Sequence, residues 1–199
     1  MYTNSNIATF SSNSNLMKFY SVECDWKTLL KETAQTYGLW KKMILPKVPP
    51  QARPHAYDPT LTKNVYNVIN LTTPLPEYYK LWKQVYDNIR SELDGPIWIH
   101  AWINIHRNED LGKESLEWHT HSYANYHGFV HISDKATTTE FKNGTIIPNK
   151  QGQMYFGDAS LEHRVVAGQF EGIRASIGYD LLLDPQPEHF DQDIFIPIL

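Results

Sequence analysis

Residues 97–106 alternate with a period of two. Ile97, Ile99, Ala101, Ile103 and Ile105 fall on one face, and Trp98, His100, Trp102, Asn104 and His106 on the other. The pattern predicts a long strand with an apolar side and a side of polar-tipped groups. Upstream the period is helical. Tyr79, Trp82, Tyr86, Ile89 and Leu93 recur at steps of three and four. A helix is therefore predicted from Thr73 or Pro74 to Gly95, with that stripe packed on a sheet. A shorter helix is predicted from a cap at Asp25 to about Tyr37, stopped by Gly38, with Leu29, Leu30, Thr33 and Tyr37 on its mostly apolar face. Between the two, Pro46, Pro49, Pro50, Pro54 and Pro59 favour an extended chain. Downstream, strand candidates at 126–132, 137–141, 145–147, 153–156, 163–167 and 173–183 are separated by Gly, Asn and Asp turns.

Helices come first and short strands follow. The simplest architecture is mainly β: a double-stranded β-helix (jelly roll or cupin-like) with N-terminal helices buttressing one sheet. The 199 residues fit one domain. Residues 1–16 read as a flexible N-terminal segment. Residues 17–199 read as the domain, divided into a helical and extended part (17–96), a β core (97–183) and a C-terminal tail (184–199).

Composition narrows the function classes. A hydrophobic content of 41% is high enough to form a core. Aromatic residues at 13% suit a walled pocket, a sandwich core and a sugar-binding surface alike. A net charge of -4 without a basic cluster argues against nucleic acid as a partner. Cys24 is the sole cysteine, so no intrachain disulfide can form. Residues 1–15 lack the pattern of a signal peptide, and no apolar run approaches the ~20 residues that span a bilayer. The expectation is a cytoplasmic protein that does not engage a membrane, with idle sequons at Asn70 and Asn143. Its oligomeric state is not encoded in any pattern we read.

Nine histidines occur, six of them between positions 100 and 131. In His119-Thr120-His121, strand spacing turns both imidazoles to one face, where they can reach one ion. A third ligand has to come from elsewhere. His163 opens a strand after the turn Gly157-Asp158-Ala159-Ser160, where Asp158 reads as a turn residue. Imidazole suits zinc, copper, iron and nickel, so the ligands alone do not choose the metal. Arg174, Ser176 and Gly178 share one face of an apolar strand. A buried Arg needs an anion, and a guanidinium with a hydroxyl two residues on can clamp a carboxylate. The alternative is a structural ion pair within the fold. Trp98, Trp102, Phe129, Tyr155 and Phe156 are candidate pocket walls, or plain core.

The order of these pieces resembles the non-haem Fe(II), 2-oxoglutarate-dependent oxygenases, and more narrowly a 2-oxoglutarate oxygenase group common in marine phages and bacteria. The pieces are Trp102-Ile103-Asn104, His119-Thr120-His121, His127-Gly128-Phe129-Val130-His131, Gly152 to Phe156 leading to His163-Arg164-Val165, and Arg174-Ala175-Ser176. They span residues 97–183. The resemblance implies Fe(II), 2-oxoglutarate and O2 as cofactor and cosubstrates, with oxidative decarboxylation to succinate and CO2 coupled to hydroxylation of an unknown small-molecule or peptide substrate. By position it implies His119 and His163 as iron ligands, Arg174 and Ser176 as the clamp on the distal carboxylate, His131 as its helper, and Asn104 near the metal-bound end.

The family pattern is departed from at one place. The usual triad is two His and a carboxylate, and here His121 fills the carboxylate position. Three neutral imidazoles leave an Fe(II) site at about +2 rather than about +1, which a dianionic 2-oxoglutarate would neutralise. Glu117, two residues before His119, is the alternative third ligand. Two other readings remain: a three-His cupin-type metalloenzyme that does not use 2-oxoglutarate, and a non-enzymatic β-sandwich binding module.

Overall fold

A computed structural model describes residues 16–48, 60–61, 66–107, 117–185 and 195–198. The expected flexible lead-in, Leu16 excepted, and the proline-rich stretch from Pro49 to Pro59 lie outside the described residues. Strand β1 (Met17–Ser21) leads to helix α1 (Trp26–Leu39), whose first turn is capped by Asp25: its carboxylate accepts from the Thr28 N–H at 3.2 Å and the Thr28 hydroxyl at 2.7 Å. Gly38 does not stop this helix. It keeps a negative φ, and a glycine ends a helix by turning left-handed. The chain instead runs on through a π-helical turn (Trp40–Ile44) and a 3-10 turn containing Pro46.

Strand β2 (Thr60–Leu61) and helices α2 (Ile69–Thr72) and α3 (Pro76–Arg90) follow. The buried stripe of α3 is Tyr78, Leu81, Trp82, Val85 and Ile89. Of the predicted stripe, Trp82, Ile89 and Leu93 are buried and Tyr86 packs against them partly buried, but Tyr79 is 59% exposed. Tertiary contacts set this phase. The buried Glu32 carboxylate of α1 accepts the Glu77 and Tyr78 N–H groups at 3.2 and 3.0 Å, supplying the N-terminal cap that Leu75 cannot.

Strand β3 (Ile97–Arg107) has the predicted alternation. The remaining strands are β4 (Tyr126–His131), β5 (Thr137–Phe141), β6 (Ile146–Pro148), β7 (Gln153–Asp158), β8 (His163–Ala167), β9 (Ile173–Leu182) and β10 (Ile196–Ile198). Every pairing is antiparallel. The larger sheet runs β1-β7-β4-β9-β3-β10, with β2 also on β3, and the smaller runs β6-β5-β8. The two sheets form a double-stranded β-helix, as predicted. β1 and β10 add edges drawn from segments in which no strand was foreseen.

The larger sheet has two different faces. Its outer face buries Ile97, Ile99, Ala101, Ile103, Val130, Ile177 and Leu181 against the helices. Each large aliphatic side chain of this kind contributes roughly 1.5–3 kcal/mol. Phe156 belongs to this helix-facing layer, which corrects its expected place in a pocket wall. The inner face carries the polar alternates of β3, β4 and β9. There Gly178 lies in register between Trp102 and Phe129, and a Cβ on it would sit 2.6 Å from the Trp102 indole. Between the sheets, Phe129, Phe141, Ile147 and Tyr155 form a second, small apolar cluster.

Candidate metal centre and anion pocket

The histidine site is built across the smaller sheet. His119 and His163 form an antiparallel bridge, exchanging backbone hydrogen bonds of 3.0 Å in both directions. Their rings stand 4.5 Å apart. The His121 N–H donates to the Ala159 carbonyl at 2.9 Å, which brings its ring parallel to that of His163, 5.4 Å between centroids. Each of the three offers a nitrogen within 4.8 Å of the others. The sequence-predicted trio is thus brought together.

In His119 and His163 the Nδ1 atoms are taken up by backbone carbonyls. The Nδ1–H of His119 donates to the Glu117 carbonyl at 2.9 Å, and that of His163 to the Leu161 carbonyl at 3.0 Å. In this tautomer Nε2 is the coordinating nitrogen of both rings. Glu117 is exposed and contributes its backbone carbonyl; its carboxylate belongs to neither cluster of potential ligands. Asp158, expected in the turn, is instead the last residue of β7, and its carboxylate accepts the Ser160 N–H and hydroxyl of the turn that follows. Burial, with His127 and His119 nearby, pushes the His163 imidazole down to about 3. It is therefore neutral at physiological pH, the state a ligand needs.

A second cluster overlaps the first and was not foreseen. Asp180, at the inner face of β9, is fully buried. It accepts from His121 Nδ1 at 3.0–3.1 Å, from His127 Nδ1 at 2.8 Å, and from the Tyr123 hydroxyl. Burial alone would raise its pKa, but the His121 and His127 rings hold the carboxyl well below the usual range. The His121 and His127 rings stack at 3.7 Å, and the Trp102 indole lies nearly parallel to His121 at 5.7 Å. A signal for Asp180 was present: the alternation of Arg174, Ser176 and Gly178 reaches it at the next step.

A cavity of about 80 Å³ joins the trio to Arg174, Ser176 and Asn104, with Trp102 and Phe129 among its walls. Trp98 and Tyr155, also expected as walls, do not line it. Arg174 is buried, and among the described residues it makes no ion pair. Its Nε donates to Thr137 Oγ1 at 3.0 Å, and its Nη1 to His106 Nδ1 at 3.1 Å and Ser176 Oγ at 3.4 Å. The expected alternative, a structural ion pair, is absent there. Burial draws the guanidinium down to about 10 without neutralising it at pH 7. His106 and His131 are pushed down to about 3, by burial first and by Arg174 second. Among the described residues, neither ring nitrogen of His131, nor Nε2 of His106, has a hydrogen-bond partner. His131 pairs in register with Ser176 but does not line the cavity. A buried cation surrounded by unused polar groups fits an anion, and an all-imidazole cluster beside it fits a borderline divalent metal.

The double-stranded β-helix is shared with solved structures of non-heme enzymes. No family model and no curated protein sequence matches the chain, but solved structures do. A non-heme monooxygenase in complex with nickel, ThoJ, superimposes with a TM-score of 0.59 at 12% identity, over 85% of this chain and 74% of that one. The non-heme alpha ketoglutarate dependent epimerase SnoN from nogalamycin biosynthesis matches with a TM-score of 0.55 at 11% identity, over 87% and 85%. The viral collagen prolyl hydroxylase of Paramecium Bursaria Chlorella virus-1 matches with a TM-score of 0.52 at 10% identity, over 85% and 90%. At these identities the likeness is one of fold, and function rests on the site itself. No helix among the described residues is long and apolar enough to cross a membrane.

Proposed function

We propose that the chain is an Fe(II)- and 2-oxoglutarate-dependent oxygenase that hydroxylates a small molecule or a peptide side chain. The observation that carries this reading is Arg174: a buried guanidinium with no carboxylate partner among the described residues, lining the same cavity as three converging histidines. A ligand that chelates a metal at one end and offers a carboxylate at the other satisfies both, and 2-oxoglutarate has that form. In this reading His119, His121 and His163 hold the iron, Arg174 and Ser176 hold the distal carboxylate, and Asn104 flanks the chelating end. His131, beside Ser176 on the neighbouring strand, is a neutral polar group without a hydrogen-bond partner among the described residues. Trp102 and Phe129 exclude water. The bound iron would supply oxidative decarboxylation of 2-oxoglutarate by O2, coupled to substrate oxidation. A structural neighbour, SnoN, has been solved with Fe3+ and alpha ketoglutarate, which supports the choice. The motif order supports the narrower resemblance to the marine phage and bacterial group.

The test is turnover with Fe(II), ascorbate and 2-oxoglutarate, followed by succinate release, beside anaerobic titration for the metal-to-ligand charge-transfer band. Succinate and the band are expected with the wild type and lost in Arg174→Ala. No succinate, together with unchanged 2-oxoglutarate binding in Arg174→Ala, would sink the proposal. The all-imidazole donor set favours a second reading, a three-His metalloenzyme that ignores 2-oxoglutarate. It predicts stoichiometric metal and no charge-transfer band. A non-enzymatic binding module predicts no stoichiometric metal.

A further inference from the structure

Imidazole binds a metal as a neutral ligand, yet a buried carboxylate stands one hydrogen bond from His121. The Asp180 carboxylate contacts His121 Nδ1 through both oxygens, at 3.0 and 3.1 Å. Both oxygens lie against this one ring nitrogen, and carboxylate oxygens accept, so the His121 Nδ1–H donates and Nε2 is left to coordinate. The carboxylate is held on its other sides by His127 Nδ1 at 2.8 Å and by the Tyr123 hydroxyl. Three donors thus fix one fully buried carboxylate, and the His121 ring it orients stacks on His127 and lies nearly parallel to the Trp102 indole.

We propose that Asp180 is the positioning residue of the metal centre: the carboxylate that a facial triad normally places on the metal is here displaced one hydrogen bond outward, and acts through His121. This rests on the metal reading above. An anion hydrogen-bonded to Nδ1–H moves electron density toward Nε2 and makes the imidazole a stronger donor. It also sets the ring's tautomer and angle. Counted with its partner, the site of His119, His121, His163 and Asp180 around a divalent ion carries about +1, the charge of the usual two-histidine, one-carboxylate triad. His121 can therefore stand where a carboxylate is expected without leaving the centre overcharged. The same geometry argues against Asp180 as a direct ligand. Both of its oxygens are occupied by N–H and O–H donors, and a metal would have to displace at least one.

The experiment uses the full chain freed of metal by chelation, titrated with Co(II) alone. The readouts are Kd, the visible spectrum, and thermal unfolding with and without metal. For Asp180→Asn we expect a 10- to 100-fold rise in Kd, the range found when outer hydrogen-bond partners of ligands are removed. The Co(II) band positions should stay unchanged, because the ligand set does, and the gain in Tm on adding metal should shrink. A merely structural Asp180 would lower the Tm of the metal-free chain and leave Kd alone, which overturns the proposal. A shift in band positions would make Asp180 a ligand and overturns it equally. His163→Ala separates the two layers of the reading. If it abolishes Co(II) binding while Asp180→Asn does not weaken it, the proposal fails and the metal centre stands. If the wild type itself binds no Co(II), the underlying reading fails, and the proposal with it. Should Asp180→Asn not fold, Tyr123→Phe is measured instead. Removing that hydroxyl leaves more of the carboxylate's charge for His121, so Kd should fall by about two- to fivefold, and an unchanged or raised Kd counts against the proposal.

Discussion

Replacing Arg174 by Met separates an anion-binding arginine from a structural one, because the two roles move stability in opposite directions. Arg174 is fully buried and lacks a carboxylate partner among the described residues. Holding its charge there costs the empty protein about 3 kcal/mol, the free energy that matches the drop from 12.5 to about 10. The sign follows from the direction. A base lowered on folding opposes folding wherever it is protonated in both states, so the cost is present throughout the neutral range and fades only as pH rises through about 10. Against it stand three hydrogen bonds, to Thr137, His106 and Ser176, together worth roughly 3 kcal/mol at about 1 kcal/mol each. Met has similar length and no charge. The two contributions nearly cancel, and Arg174→Met should unfold within about 1–2 kcal/mol of the wild type in urea. A structural ion pair would instead cost about 3–5 kcal/mol on losing one partner. Binding should respond far more. Losing one side of a buried charge pair costs about 2–5 kcal/mol, so 2-oxoglutarate affinity in the Mn(II)- or Fe(II)-loaded protein should fall at least 30-fold. The assay is paired: urea unfolding without ligand, and thermal shift with metal and increasing 2-oxoglutarate. The reasoning is refuted if the variant loses more than about 3 kcal/mol without ligand, or if its 2-oxoglutarate-dependent shift matches the wild type.

Three further outcomes are expected. His106 and His131 are neutral in the fold and pushed down to about 3. The unfolded chain gains their protons near pH 6.5 and the folded chain does not, so each should remove about 1.4 kcal/mol of stability per pH unit as pH falls below about 6. Urea unfolding between pH 5 and 7 tests this; His131→Phe should flatten the slope, and an unaltered slope would contradict the assignment. Gly178→Ala puts a Cβ 2.6 Å from the Trp102 ring, a buried overpacking that should cost about 1–3 kcal/mol and weaken 2-oxoglutarate binding by moving a wall of its cavity. Denaturant midpoint and ligand titration read both effects. Glu32→Gln removes the buried charge over the first turn of α3 but keeps an acceptor for the Glu77 or Tyr78 N–H. It should lower stability by about 1 kcal/mol and leave metal affinity untouched, and a change in Co(II) Kd would show that the helical layer and the site are coupled.

Much of the site was legible because strand chemistry is periodic. One rule, that alternate residues share a face, placed His119 with His121, and Arg174 with Ser176. The same rule runs on to Asp180, but an aspartate in an apolar strand does not announce its partners. His121 and His127 lie more than fifty residues away, and only the pairing of β9 with β4 sets Asp180 opposite His127. Helices were harder to place. The α3 pattern allows two adjacent stripes, and the one through Tyr78 and Val85 was selected by the cap from Glu32 and the hydrogen bond between Thr33 and Tyr78. A glycine at position 38 predicts a stop because glycine favours the left-handed cap, yet its backbone is equally free to stay helical and does.

By itself, then, the chain determined the types of the central elements from α3 to β9, the two faces of β3, and the residue kinds that a metal and an anion require. These follow from local sterics and from the period of burial, which act within a few residues. The tertiary structure alone decided the edge positions of β1 and β10, the phase of α3, the isolation of Arg174 from any described carboxylate, and the meeting of Asp180 with His121. Each of these depends on which distant backbone becomes the neighbour, and that is settled by packing across the whole fold.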